Sequence, residues 1–428
     1  MISKKFIPCI YLYRTNAVNG IEDRTVVDTD PVRLAKSYSA GCADGLIVFD
    51  LSEGDAEHEE ALDILKEICA VAEMDVYGAG NIRRLEDVKK LLYAGCKKVI
   101  LNYGKQANID LTEEASLRFG QEKILAAYNE PEALKENKEL AEKYACGLVA
   151  MNVHMLRETA EITTLPVIVQ IRQIALNKLL EVLALENLLG VTGNTINQNM
   201  SELLNLKDLC REHDIPVETL TPAYEWADFK LNSDGMLPVV VQDYKTREVL
   251  MVAYMNQEAY LHTLRTGKMT YYSRSRQELW LKGATSGHFQ YVKSLTADCD
   301  MDTLLARVSQ VGAACHTGSP SCFFNKVVEK DVEENANPLK VFEEVFAVIQ
   351  DRKIHPKEGS YTNYLFDKGI DKILKKLGEE ATEIVIAAKN PNSNEVKYEI
   401  SDFLYHMMVL MAEKEVTWEE ITRELANR

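Results

Sequence analysis

The chain predicts a multidomain protein: an N-terminal TIM-like (β/α)8 barrel over residues 1–220, an α+β segment over 221–330 and an all-helical segment over 331–428. Three observations carry this reading. Short apolar, β-rich runs alternate with amphipathic stretches through the first 220 residues. Strand-like alternation then takes over from "LPVVVQDY", and beyond Leu339 strand signals vanish in favour of 3.6-residue periodicity.

In the first segment the runs are "FIPCIYLY", "DGLIVFDL", "MDVYGAG", "KKVILNY", "KILAAY", "CGLVAMNV", "LPVIVQI" and "ENLLGVTG". Continuous apolar strands alternating with helices such as "EEALDILKEICAVAE" and "LEDVKKLLYAGC" imply a parallel sheet covered by helices. Eight such units in so short a span suit a closed barrel better than an open sheet. "TPAYEWADFKLNSDGM" breaks the rhythm and marks a boundary. Six strand-like runs follow: "LPVVVQDY", "VLMVAYM", "MTYYSRS", "ELWLKG", "HFQYVKSL" and "TLLARVSQV". "EKDVEENANP", polar and ending in proline, reads as a linker. The last segment has four helical stretches, "PLKVFEEVFAVIQDRK", "GIDKILKKLGEEATEIVIAAK", "SNEVKYEISDFLYHMMVLMAEK" and "TWEEITREL"; Thr417 begins a capping box, and the methionine-rich helix reads as core.

Composition bounds the function. With 46% hydrophobic residues and 27% charged, several cores can be built. A net charge of −17 argues against a nucleic-acid partner, because no basic stripe would neutralise phosphates. The N-terminus lacks a long apolar stretch and a small-residue cleavage site, so no signal peptide is expected. No apolar run is long enough for a membrane span, and the expected location is the cytoplasm. Of nine cysteines, six (Cys9, Cys42, Cys69, Cys96, Cys146 and Cys210) lie at no metal-like spacing and read as small buried hydrophobes.

The remaining three fall in "DCDMDTLLARVSQVGAACHTGSPSC". On a strand, Asp298, Asp300 and Asp302 would share a face and Cys299 would point to the other. Grouped carboxylates suit a hard cation such as magnesium, while three thiolates, Cys299, Cys315 and Cys322, suit zinc. The residues alone leave three readings open: a structural zinc site closed by His316, a catalytic zinc site, or an exposed strand edge without metal. "WLKGATSGHFQ", "DCDMDTLL" and "ACHTGSPSCFF" resemble the signature stretches of the phosphoribosyl-AMP cyclohydrolases over about residues 222–324. The resemblance implies zinc on Cys299, Cys315 and Cys322, magnesium on Asp298, Asp300 and Asp302, and a zinc site completed between two subunits of a dimer. It also implies hydrolytic opening of an adenine ring by an acidified water. His316 is the expected base, and Trp280, Lys282, Thr285 and Ser286 are expected to bind ribose phosphate or base.

In the helical segment, Glu380 and Glu383 are three residues apart, as are Glu399 and Asp402, so each pair shares a helix face. Most acidic pairs are solvated surface. Here, however, Ile384, Val385, Phe403 and Leu404 flank the acids, and Lys372, Lys375 and Lys376 lie one turn upstream, a pattern that fits magnesium and a nucleotide polyphosphate. "SYTNYLFDKGIDKILKKLGEEATEIVIAAKN" with "EISDFLYHMMVL" resembles the phosphoribosyl-ATP pyrophosphohydrolases over about residues 341–424. That implies magnesium on Glu380, Glu383, Glu399 and Asp402, Glu379 as an accessory acid, and hydrolysis that releases pyrophosphate. The product of this reaction is the substrate of the other, and the two domains joined in this order resemble a known bifunctional arrangement.

The first segment resembles the histidine-biosynthesis barrels, namely the imidazole-glycerol-phosphate synthase cyclase subunit and the ribonucleotide isomerase, through "FIPCIYLY", "VYGAGNIRRLEDVKKLLYAGCKKVILNYG" and "LPVIVQI". Those barrels carry catalytic aspartates at the ends of strands one and five. Here the positions read Tyr11 and Tyr128-Asn129, and "VQIRQIALNK" replaces the phosphate-binding glycines after strand seven. Gly78 and Gly80 remain as a weak phosphate-site signal. The barrel therefore reads as non-catalytic. The competing readings are a nucleotide-salvage hydrolase, disfavoured because the zinc-deaminase pattern is absent, and a scaffold with structural zinc.

Overall fold

The computed structural model describes residues 2–328, 339–391 and 393–426. The expected linker Glu329–Pro338 lies outside them. The chain forms two compact units, Met1–Asn325 and Lys326–Arg428.

The first unit begins with a closed barrel. Its first strand comes in two pieces, Lys5–Ile7 and Cys9–Tyr13, separated by Pro8, which has no N–H to give to a ladder. The first piece pairs in parallel with the last barrel strand, Leu188–Thr192, and the second with Leu46–Asp50. Parallel pairings through Val76–Ala79, Lys98–Asn102, Ile124–Tyr128, Gly147–Ala150 and Val167–Gln170 complete the ring. Side chains alternate: Ile7, Cys9, Tyr11, Ile47, Phe49, Tyr77, Ile100 and Ile168 fill the interior, while Phe6, Ile10, Leu46, Val48, Val99 and Tyr128 pack outward against the helices. An antiparallel hairpin, Asn16–Val18 with Val26–Asp28, extends the sheet beyond the first strand.

All six strands expected next are present. Val249–Met255, Leu237–Asp243, Leu304–Gln310 and Gln290–Ala297 form one sheet in that order, and Thr270–Ser273 pairs with Glu278–Leu281 in a second. The helix Gln257–Thr266 starts at Asn256, whose side chain accepts the Ala259 N–H, and ends at left-handed Gly267. The sequence break near residue 221 does not separate two compact bodies, because this α+β segment docks on the barrel. The Lys268 ammonium donates to the Ala40 carbonyl at 2.6 Å, the Arg265 guanidinium pairs with Asp208, and Glu73 accepts from Lys293 and Ser309 at 2.8 and 2.6 Å. Ala40 ends the helix Pro31–Ala40 and Glu73 follows the helix Asp55–Val71, each just ahead of a barrel strand. The docked face is thus the N-terminal end of the barrel.

The second unit is helical: Lys340–Ile354, Tyr361–Lys368, Ile370–Ala387, Ser393–Glu413 and Trp418–Ala426. Tyr361–Lys368 is an addition to the four expected stretches; two turns between Ser360 and Gly369 are too short to display a period. Phe346, Ile349, Leu365, Ile373, Met408, Val409 and Met411 form the core, so the methionine-rich helix packs as expected. The Thr417 capping box is present, with reciprocal bonds to Glu420. Among the described residues no helix is long and apolar enough to cross a membrane.

Candidate functional site

The three middle-segment aspartates converge, but not on a strand. Strand Gln290–Ala297 stops one residue early, and Asp298–Thr303 forms a tight turn with Met301 in the left-handed region. The Asp298 carboxylate caps the turn, accepting the N–H of Asp302 at 3.0 Å and of Thr303 at 3.2 Å. Desolvation pushes its carboxyl up, but together these bonds outweigh that and hold it below the usual range. One carboxylate oxygen from each of Asp298, Asp300 and Asp302 lies within 4.8 Å of the others, an all-oxygen set that fits a hard cation. The expected strand alternation is therefore corrected: a turn, not a strand, sets the positions of Cys299 and these acids.

Cys315 and Cys322 sit together at the other end of the motif. The Cys315 loop closes through a Cys315 N–H bond to the Ser319 carbonyl, and the Cys322 N–H is tied to the Leu250 carbonyl at 2.8 Å. A 3.1 Å hydrogen bond from the Thr317 hydroxyl holds the Cys315 thiol below its ordinary range. Burial and the neighbouring Cys315 push Cys322 up. Buried Lys282 adjoins both thiols, and desolvation lowers its ammonium. Two adjacent sulfurs, one predisposed to ionise beside a cation, fit a thiolate-bound metal. Cys299 is exposed and does not join a ligand group with them. His316 is exposed, its Nδ1 4.0 Å from the Cys315 sulfur. Trp280 tilts against Tyr271 at 5.6 Å, while Thr285 and Ser286 are exposed in the turn beyond it.

In the helical unit, Glu380 and Glu383 on one helix meet Glu399 on the next, with ligand oxygens within 4.8 Å. Glu380 is buried, and desolvation with Glu383 alongside raises its carboxyl; Glu399 is raised by desolvation and by Glu383. Carboxylates that disfavour their own charge this way fit a divalent cation that would relieve it. Asp402 lies close enough to act on both. Glu379 is held in ion pairs by Lys376 at 2.9 Å and Lys375 at 3.5 Å. Lys376 also approaches Glu380 at 3.8 Å. Two of the expected phosphate lysines thus face acids, and Lys372 is half-buried one turn earlier.

Sequence reasoning missed His406. It is buried one turn after Asp402, with Nδ1 3.6 Å from Glu380 Oε1, and burial lowers its imidazolium below the ordinary range. The i, i+4 spacing from Asp402 was the available signal.

The C-terminal end of the barrel presents a different picture. Tyr11 is buried, stacks on Phe49 with ring centroids 5.1 Å apart, and accepts from the Gln170 amide. Tyr128 faces outward and bonds Thr159, leaving Asn129 exposed at the strand end. The two glycines after strand three have packing reasons. A Cβ on Gly78 would meet the Cys96 sulfur at 3.0 Å, and one on Gly80 would meet the Asp50 carbonyl oxygen at 2.1 Å. The following helix, Leu85–Tyr93, already spends N-terminal donors on Asp87, which accepts the N–H groups of Arg83 and Arg84. Beside it Asp50 Oδ2 lies 2.5 Å from His58 Nδ1, a buried pair that no sequence spacing announced.

Three family models match the chain: phosphoribosyl-AMP cyclohydrolase over residues 251–324, phosphoribosyl-ATP pyrophosphohydrolase over 342–428, and histidine biosynthesis protein over 5–180. Among similar proteins, the histidine biosynthesis bifunctional protein HisIE of Thermoanaerobacter pseudethanolicus is 52% identical over 209 residues, 46% of this chain and 97% of the relative. The protein of the same name from Lactococcus lactis is 49% identical over 193 residues, 45% of this chain and 88% of its own length. That of Bacillus subtilis is 47% identical over 201 residues, 47% of this chain and 95% of its own length.

Proposed function

The chain belongs to the HisIE family of bifunctional histidine-biosynthesis proteins, extended here by a histidine-biosynthesis barrel, and from that premise we propose how its segments divide the work. Its activities are hydrolysis of phosphoribosyl-ATP to phosphoribosyl-AMP and pyrophosphate, and hydrolytic opening of the adenine ring of phosphoribosyl-AMP. Both use metal ions.

Residues 331–428 carry the first reaction and 221–330 the second. One observation supports this division most strongly: among the described residues, the only groups of three metal-competent side chains fall one in each matched segment. Glu380, Glu383, Glu399 and Asp402 hold magnesium, which when bound neutralises polyphosphate charge. Glu379 keeps Lys375 and Lys376 placed beside the cradle, and with Lys372 they receive phosphate oxygens.

Asp298, Asp300 and Asp302 hold a second magnesium. Cys299, Cys315 and Cys322 would hold zinc, which when bound would supply an acidified water. Because Cys299 stands apart from the other two sulfurs within one chain, a second copy supplies it, which makes the protein a homodimer. His316 serves as base from its exposed position next to Cys315, and Trp280, Lys282, Thr285 and Ser286 line the substrate side. The barrel is non-catalytic: buried aromatic packing occupies the position of the strand-one acid. The protein works in the cytoplasm on small molecules.

Incubating the full chain with phosphoribosyl-ATP, magnesium and zinc tests the assignment. Pyrophosphate and a ring-opened product should both accumulate; a nucleotide left intact after metal loading would refute it.

A further inference from the structure

The Tyr361–Lys368 helix, which the sequence hides, begins beside the carboxylate cradle. Its first residue reaches across to His406, with Tyr361 Oη 3.1 Å from His406 Nε2. The other ring nitrogen, Nδ1, lies 2.8 Å from the backbone carbonyl oxygen of Asp402. A carbonyl only accepts, so Nδ1 carries the proton, Nε2 is bare, and the tyrosine hydroxyl donates to it. The tautomer is thereby fixed from both sides. The protonated Nδ1 also faces Glu380 Oε1 at 3.6 Å, and the imidazole and this carboxylate are equally buried. A second bond runs parallel to the first, between the Thr362 and Tyr405 hydroxyls at 2.7 Å. Two consecutive residues of the short helix thus grip two consecutive residues of Ser393–Glu413.

We propose that His406, set by Tyr361, is a positioning residue for the metal cradle: the ring fixes the rotamer of Glu380 and braces the turn that carries Asp402. The proposal rests on the carboxylate-cradle reading given above. The physical reason is that a buried carboxylate aimed at a cation keeps that aim only if its non-ligating side is held, and ligand affinity follows from this orientation. Glu380 is touched by cations or donors on two sides, Lys376 at 3.8 Å and His406 at 3.6 Å. The lysine is a flexible stem, whereas the imidazole is locked.

Manganese binding by the zinc-loaded full chain, followed by electron paramagnetic resonance without substrate, tests this. The sites that Glu383→Gln removes define the cradle. Tyr361→Phe deletes one oxygen from a residue 46% exposed and keeps its ring, so folding is spared. It should loosen cradle binding about tenfold, within the range for supporting residues around metal ligands. Tyr364→Phe, the same change on the stacked neighbour, should leave binding unaltered. His406→Leu should lose at least as much as Tyr361→Phe, and His406→Asn, which keeps a donor near Nδ1, should recover part of it. Tyr361→Phe binding as tightly as Tyr364→Phe overturns the proposal. So does His406→Leu binding like the parent, or His406→Asn recovering nothing. If instead Glu383→Gln and the parent bind alike, the cradle reading itself falls, a separate and recognisable result.

Discussion

Inside the barrel mouth, the Tyr11 hydroxyl accepts a 2.5 Å hydrogen bond from the Gln170 side-chain amide. Both residues are buried, and the tyrosine ring lies flat against Phe49. The bond crosses from the first barrel strand to the seventh and closes the interior where an acid would otherwise stand. Tyr11→Phe leaves the Gln170 donor without its partner in a largely buried site, at a cost of about 1–3 kcal/mol. Thermal unfolding should fall accordingly, while pyrophosphate release and ring opening at permissive temperature should be unchanged. Loss of either activity would show that the barrel interior takes part in the chemistry.

Cys315 is the buried member of the thiol pair and the one that Thr317 predisposes to ionise. Cys315→Ala should abolish bound zinc, read by atomic absorption, and ring opening with it. Pyrophosphate release from phosphoribosyl-ATP should persist. A zinc-free Cys315→Ala protein with full ring-opening turnover would end the zinc assignment.

Glu383 contributes to the cradle from an exposed position, so its replacement costs little packing. Glu383→Gln keeps the shape and removes one charge. It should reduce pyrophosphate release by two orders of magnitude or more, on the order of a lost catalytic electrostatic contact. Supplied phosphoribosyl-AMP should still be opened at the parental rate. Joint loss would mean that the sites are not independent.

Much of this was legible in the sequence because it rests on period. The barrel strands and the six later strands announce themselves through apolar runs, and the cradle acids through i, i+3 spacing on long helices. What stayed hidden depends on geometry that no period encodes. The three aspartates look like strand alternation, yet a left-handed Met301 folds them into a turn. The Tyr361–Lys368 helix is too short to repeat, so the partner of His406 went unseen. The Asp50–His58 pair joins a strand end to a helix across an intervening loop, and the docking of Glu73 on Lys293 spans 220 positions.

That Asp50–His58 pair predicts a pH signature. The Asp50 hydrogen bond raises the His58 imidazolium. Burial pushes the Asp50 carboxyl up, but His58 and Ser52 outweigh it and hold it low. The raised histidine adds stability that is complete below about pH 6.5, its unfolded value, and is lost as pH rises through the folded one. The lowered aspartate adds stability present above about pH 3.9 and lost as pH falls through its folded value. The pair therefore contributes most between those limits. His58→Gln should flatten this part of the stability–pH curve, measured by denaturant unfolding; an unchanged curve would exclude a charged pair.

Glu73 holds the α+β segment to the barrel. Its two carboxylate oxygens accept from Lys293 and from Ser309, which lie on neighbouring strands of one sheet. Only a sixth of the Glu73 side chain remains exposed, so this contact is screened less than a surface ion pair. Arg265 to Asp208, Lys268 to Ala40 and the Cys42 thiol to the Thr266 carbonyl are further polar ties across the same face. Glu73→Ala removes two bonds at once and leaves the Lys293 ammonium without its carboxylate partner, for a loss of roughly 1–3 kcal/mol. If the barrel and the α+β segment unfold together because this face couples them, the substitution should broaden or split their shared transition in calorimetry. The helical unit, which has its own core, should melt as before. A single unshifted transition would mean that the apolar part of the interface alone sustains the coupling.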